Sequence, residues 1–360
     1  MSNPSLPTPR NPMTPRPTPT AALLALCLVG GLLSPSVAHG LEQLERQLDI
    51  RPNNATQGQP RDVADQLLRL GSQERQAGNY DRAIAAWYRA IDIYHALGDL
   101  TTAGIAYDYI GLTYAQLTQY REAEDTLRRR LAVAQDNHDF LGQVRGWNNL
   151  GTIFVQRGQL IPAQEAFQTA LAIGLDVGDN AGIGLSLSNL GLVARSQSNL
   201  HDARKYYEAA AEYRFRAGDL AGEANSNNTL GAIYYGLGES GQALGAYLVA
   251  RDAARQSGDI SNLLRALDGL VEVYQSRNDL TQVRRFIEER LALTSSSSTS
   301  PYQQMLTFTR LGEYYAQTNE TIAAMEAYEQ ALSLARQLEI KPQEAVLMNR
   351  LQALRFQGRE

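Results

Sequence analysis

From Leu70 onward a short apolar signal recurs along the chain at a spacing of forty residues: Leu70-Gly71, Ile110-Gly111, Leu150-Gly151, Leu190-Gly191 and Leu230-Gly231, then Leu270-Val271 and, one residue late, Leu311-Gly312. Other columns keep step with it. Twelve positions after each glycine (or Val271) stands a small residue: Ala83, Ala123, Ala163, Ala203, Ala243, Val283 and Ala324. Four further on comes a large apolar one: Trp87, Leu127, Phe167, Tyr207, Tyr247, Ile287 and Tyr328. Three beyond that is Ala90, Ala170, Ala210, Ala250 or Ala331, with Arg130 and Arg290 as interruptions. Spacings of three and four place these positions on one helical face, and a repeat of this length marks a stacked array. Small residues at that spacing let two antiparallel helices approach, and the large neighbour fills the space beside the contact.

The polar positions punctuate the same period. Gly78, Gly158, Gly238, Asn278 and Asn319 suit the left-handed residue that ends the first helix of each pair, and Asn79, Asn199 and Asp279 follow as candidate caps. Gly98-Asp99, His138-Asp139, Gly178-Asp179, Gly218-Asp219 and Gly258-Asp259 separate one pair from the next. The expectation is an all-α chain with repeats near 62–98, 99–138, 139–178, 179–218, 219–258, 259–300 and 301–340. Residues 342–357, with Val346, Leu347, Leu351 and Leu354, add one helix that caps the open end. Thr294 to Pro301 replaces the Gly-Asp link with serines and reads as a flexible surface loop.

These columns resemble the tetratricopeptide repeat, in its longer, forty-residue form. The shared features are Leu-Gly, the aromatic three residues later (Tyr114, Phe154, Tyr234, Tyr274, Tyr315), the Ala, aromatic, Ala series, and Trp147 at a position where that family favours tryptophan. The resemblance covers 61–357 and implies a right-handed α-solenoid whose first helices line a concave groove for a protein or peptide. Counted from each Leu-Gly, the groove would present Arg145, Asn148, Thr152 and Gln156, then Ser188 and Arg195. Asn225, Asn228 and Tyr235 follow in the fifth repeat, and Arg265, Asp268 and Glu272 in the sixth. Asn149 and Asn189 lie one position further round. Asn side chains can pair with backbone amides and Arg forks with carboxylates, and Tyr supplies flat apolar area. The carboxylate clamp of chaperone-binding members is not supported, because Ser72, Leu112, Thr152, Leu192 and Ala232 follow the glycines.

Composition narrows the function classes. Charged residues make up 20% and net charge is -5, with no basic run of the kind that neutralises phosphates, so nucleic acid is not an expected partner. Cys27 is the single cysteine, and His39, His95, His138 and His201 are scattered. No metal or cofactor is expected, and no catalytic constellation is present. Gly236-Leu237-Gly238-Glu239-Ser240-Gly241 spells a dinucleotide motif but falls on a turn with no strand before it.

The N-terminus reads as an address. Arg10 and Arg16 precede an apolar stretch from Ala21 to Leu33, and Ser36-Val37-Ala38 offers small residues for cleavage, as in a secretory signal peptide over 1–38. Thirteen helical residues reach about 20 Å against roughly 30 Å of hydrocarbon. No membrane-spanning helix is therefore expected in the mature chain, and 39–60 follows as a linker. The combined reading is an extracytoplasmic scaffold (periplasm, lumen or secreted) that binds a protein or peptide. A peptide- or glycan-sensing arm acting on a separate output protein is the alternative.

Overall fold

The computed structural model describes residues 59–295 and 300–357. The signal peptide, nearly all of the linker and Ser296–Thr299 lie outside them. The described residues form fifteen helices and no strand. Seven antiparallel pairs follow in order: α1 (Gln59–Gln76) with α2 (Tyr80–Ala96), α3 (Leu100–Gln116) with α4 (Tyr120–Asp136), α5 (Phe140–Gln156) with α6 (Leu160–Val177), and α7 (Asn180–Ser196) with α8 (Leu200–Arg216). Then come α9 (Leu220–Gly236) with α10 (Ser240–Ser257), α11 (Ile260–Ser276) with α12 (Leu280–Thr294), and α13 (Pro301–Gln317) with α14 (Thr321–Gln337). A last helix, α15 (Lys341–Gln357), closes the series.

The turns follow from residue chemistry. Every described first-to-second turn holds one residue at positive φ: Gly78, Thr118, Gly158, Ser198, Gly238, Asn278 or Asn319. Thr118 and Ser198 stand where glycine or asparagine is usual, and such a position costs a side-chain-bearing residue about 1 kcal/mol. Asp99, Asp139, Asp219, Asp259 and Asp279 each accept a hydrogen bond from the backbone N–H three residues on, as does Asn199. Asn79 does not cap α2; its Nδ2 donates to Glu74 instead.

The Leu-Gly signal joins two contacts. Leu150 shares one core cluster with Leu127 and Leu131 of the preceding pair and with Phe167 of its own. Gly151 packs onward, and a Cβ there would lie 2.4 Å from the Phe167 ring. A glycine at this register is therefore what admits a bulky side chain from the second helix. Ala83, Ala123, Ala163, Ala203, Ala243 and Ala324 are wholly buried, as are Trp87 and Phe167, and each large side chain contributes about 1.5–3 kcal/mol through burial. No described helix precedes α1, and Leu70 is correspondingly exposed.

Arg130 and Arg290, which break the alanine column, are fully buried rather than loosely packed. Arg130 reaches Asp108 at 3.1 Å and Asp139 at 3.2 Å. Arg290 forks onto Asp268 through Nε at 2.9 Å and Nη2 at 3.2 Å, and bonds Gln303 and Thr307 of the next pair. At the far end α15 covers the last pair with Leu347, Leu351 and Leu354. Val346, expected in that covering face, is turned outward and half exposed. No helix among the described residues is long and apolar enough to cross a membrane.

Candidate binding surface on the first helices

Successive first helices touch one another from α3 through α5, α7 and α9 to α11, and second helices do not approach each other to that extent. The array therefore bends toward its first helices, and a groove would lie on that side. What those helices offer there is limited by how deeply they are packed. Along α5, Gly142–Val144, Gly146, Asn148–Gly151 and Ile153–Phe154 are all buried. One register stays accessible. It contains Arg145, Thr152 and Val155 on α5, Leu185, Leu192 and Arg195 on α7, Asn225, Ala232 and Tyr235 on α9, and Arg265 and Glu272 on α11.

The asparagines expected to face a ligand are mostly spent within the array. Asn148 is fully buried; its Nδ2 donates to the Val144 carbonyl and Ser186 Oγ, both at 2.9 Å, and its Oδ1 accepts from Asn189 Nδ2 at 2.9 Å. Asn149 is buried with Nδ2 on Asp108 Oδ1 at 2.9 Å. Asn228 is buried and donates to the carbonyl and Oδ1 of Asn262. Ser188 meets Ser226 at 3.2 Å. These bonds join the second pair to the third, the third to the fourth, the fourth to the fifth and the fifth to the sixth. The assignment of Asn148, Asn149 and Asn228 to an open groove is thus corrected, because the angle between repeats turns them into the neighbouring first helix. Asp268 is likewise occupied by Arg290, and half-buried Asn189 is held by Asn148.

Arg145, Thr152, Arg195, Asn225, Tyr235, Arg265 and Glu272 lie in the accessible register, whereas Ser188 is buried and the Gln156 Oε1 is withdrawn from solvent. Arg145 is half-buried, and its Nε has no acceptor. The Arg195 side chain, at the end of α7, makes no hydrogen bond or ion pair with any described residue. Arg265 donates from Nη1 to Asn225 Oδ1 and from Nη2 to Thr229 Oγ1, both at 3.0 Å. Burial, and then the Arg195 charge, push its guanidinium below the ordinary arginine value. Tyr235 is partly buried against the core cluster that runs from α9 to α13. Sequence reasoning passed over Tyr207 and Tyr247, taken as core alone. Their rings are core, and burial raises both phenols above the usual value, opposed at Tyr207 by the Arg195 and Arg265 charges and reinforced at Tyr247 by the Glu272 charge. The signal that could have found the site is positional: Arg145 and Arg265 each stand five residues before their Leu, and Arg195 five after its own.

The dinucleotide-like motif is accounted for by the turn. Gly236 ends α9, Gly238 takes φ of 78° and Ser240 begins α10. Among the described residues no group of His, Cys, Asp and Glu is placed to hold a metal ion.

Residues 62–136, 143–214 and 183–256 match a tetratricopeptide-repeat family model, and residues 307–338 match a second model of the same repeat. The chain belongs to the tetratricopeptide-repeat family. No curated protein sequence matches it. Among solved structures it is similar to a signal-transduction ATPase with numerous domains and a tetratricopeptide-repeat sensor from Pyrococcus horikoshii, at 16% identity and a TM-score of 0.62. That match covers 79% of this chain but only 44% of the other. The aspartyl phosphate phosphatase F from Bacillus subtilis has a TM-score of 0.53 at 16% identity, covering 82% of this chain and 79% of that one. The apo form of RapI gives 0.51 at 14%, covering 77% and 98%. At these identities the likeness is one of fold.

Proposed function

We propose that the chain is an exported, non-enzymatic scaffold that holds an extended protein or peptide segment along its first helices, in assembly or recruitment in the cell envelope. The observation that carries this is the contrast within one surface. The first helices spend Asn148, Asn149, Asn189, Ser188 and Asn228 on each other. Yet the accessible register that holds Tyr235 also holds Arg145, whose Nε has no acceptor, and Arg195, whose side chain makes no bond with a described residue. Family membership supports a protein or peptide as partner, and stacked repeats offer a long preformed surface that binds without large ordering costs. Export rests on the basic, apolar and small-residue order of positions 1–38.

A pull-down from envelope extract with the chain and with an Arg145→Ala, Arg195→Ala, Tyr235→Ala variant tests the binding surface. Proteins retained by the first and lost from the folded second are expected. Equal retention by both would move the site off the first helices. N-terminal sequencing of the secreted chain tests export, with a start at His39 expected and a start at Met1 opposing it. The sensor reading keeps one specific support: the repeats of the Pyrococcus horikoshii protein are described as a sensor. It would prevail if binding changed the activity of a separate output protein.

A further inference from the structure

We propose that a cleft between the second helices α4 and α6 receives one aromatic side chain of a protein partner. The cleft has a volume of about 300 Å³ and is lined by Trp147, Leu150 and Phe154 of α5, Pro162 and Ala166 of α6, and Arg128 of α4. It shares no residue with the accessible register of the first helices, so it holds or fails independently of that surface.

The repeat geometry explains the space. The array bends toward its first helices, so neighbouring second helices part over the first helix between them. Side chains at a few columns then decide what fills the gap, and the other repeats show what suits it. In the sixth repeat the column of Ala166 holds Phe286, buried, its ring stacked at 5.7 Å on Tyr274, the counterpart of Phe154. In the fourth it holds Tyr206, packed against core clusters of both its own and the preceding pair. The fifth has Ala246 there, but Tyr234, the counterpart of Phe154, donates at 2.7 Å to Glu208, the counterpart of Arg128. The third repeat has none of these arrangements. Ala166 ends at a methyl, Phe154 has no hydroxyl, and Arg128 is drawn to Glu124 at 2.8 and 3.1 Å.

The lining selects an aromatic occupant. An apolar cavity of ~150 Å³ is enough to bind benzene, and this one is larger. Trp147 and Phe154 offer aromatic faces, on which a ring packs offset or edge-on. Arg128, exposed and part of the lining, supplies a guanidinium to lie over the incoming ring, as Arg251 and Arg285 lie over Phe286 at 5.8 and 5.4 Å. Ile161, next to Pro162 in the first turn of α6, is 71% exposed, where the same column holds Asp81, Arg121 and His201 in other repeats. It continues the apolar surface of α6 out to solvent. An isolated small molecule would leave that surface bare, whereas a polypeptide carrying a phenylalanine or tyrosine covers both.

The test selects random dodecapeptides on the folded chain and sorts them against Ala166→Phe, which supplies from within the ring that Phe286 supplies in the sixth repeat. Peptides that share Phe or Tyr at one position, and bind the parent but not Ala166→Phe, are expected. Replacing that residue by Ala should weaken binding roughly tenfold or more. Bound peptide should also shield Trp147 from acrylamide. The chain has two tryptophans and Trp87 is wholly buried, so the quenchable emission is that of Trp147. Thr169→Phe, at a half-buried position of the lining, closes the cleft from its outer part and takes the place of Ala166→Phe if that variant does not fold. Peptides that share a leucine instead, or that bind the filled variants as well as the parent, would overturn the aromatic site, as would a selection that enriches none. N-acetylphenylalanine amide binding as tightly as the peptides would overturn the protein partner. Peptides indifferent to Ala166→Phe but lost from the Arg145→Ala, Arg195→Ala, Tyr235→Ala variant would sink this inference and leave the first-helix surface standing.

Discussion

Arg130 pairs with Asp108, twenty-two positions earlier, and Arg290 pairs with Asp268 across the same interval and in the same columns of a later repeat. In the three repeats between them the arginine column is Ala170, Ala210 and Ala250, and the aspartate column is Asn148, Ser188 and Asn228. Charge enters both columns together or neither. Each arginine also bonds forward, to Asp139 in one case and to Gln303 and Thr307 in the other. Arg290 thereby ties α12 to α13 across the serine-rich link, where the first-helix contacts that run from α3 to α11 are no longer made to the same extent.

Removing one member of such a pair strands a buried charge. Arg130→Ala is expected to cost about 3–5 kcal/mol in chemical denaturation. Arg130→Ala with Asp108→Asn and Gly104→Val reproduces the Ala170, Asn148 and Val144 set of the third repeat, and the Cβ that Arg130 excludes at Gly104 then has room. The triple variant should recover most of the loss. Equal destabilisation of the single and triple variants would show that Arg130 is held for its contact with Asp139 instead.

Asn148 and Arg195, both first assigned to the groove, should separate cleanly. Asn148→Ala leaves Asn189 and Ser186 without their partner and is expected to lower stability by about 1–3 kcal/mol. Arg195→Ala breaks no internal bond, so its melt should match the parent within ~0.5 kcal/mol while partner binding weakens. Thermal melts beside binding measurements distinguish the two. A stable Asn148→Ala with impaired binding would return that residue to the surface.

Glu223 gives a pH signature. Burial, and next the Asp219 charge, raise its carboxyl above the usual value. The folded state therefore holds the proton more tightly than the unfolded chain does. The contribution is full below the ordinary glutamate pKa and is lost as pH rises through the raised one. Glu223→Gln should be the more stable protein at neutral pH and should match the parent in acid. Gln143 occupies this column in the third repeat and donates to the Ala134 carbonyl at 3.3 Å, which shows that an amide fits. Parallel stability–pH curves at neutral pH would contradict the assignment.

Gly151→Ala tests the helix–helix register. The added methyl meets the Phe167 ring, and overpacking of this kind costs about 1–3 kcal/mol. An unchanged denaturation midpoint would mean that the ring has somewhere else to go.

The period, the pairing, the turns and most caps could be read from residues because each is set inside one helix pair. A small residue admits a helix, a glycine admits a ring, and an aspartate satisfies an N-terminal amide. Asn148 and Asn228 could not be placed that way. Whether an inward polar side chain meets a ligand or the next repeat depends on the angle between pairs, which no single repeat encodes. Their partners were nevertheless present in the sequence, as Ser186 and Asn189 facing Asn148 and as Asn262 facing Asn228. Arg130 and Arg290 looked like faults in the alanine column because their aspartates lie on the other helix of the pair.

Photo-crosslinking in cells is the most direct test that a partner sits on the first-helix surface. A photoreactive phenylalanine analogue would replace Val155 or Tyr235 in the accessible register, and, separately, Val249 on the exposed side of α10. Adducts of one defined partner from Val155 and Tyr235, absent from Val249, are the predicted result. Adducts from Val249 with none from Val155 or Tyr235 would contradict it and place the partner on the second helices.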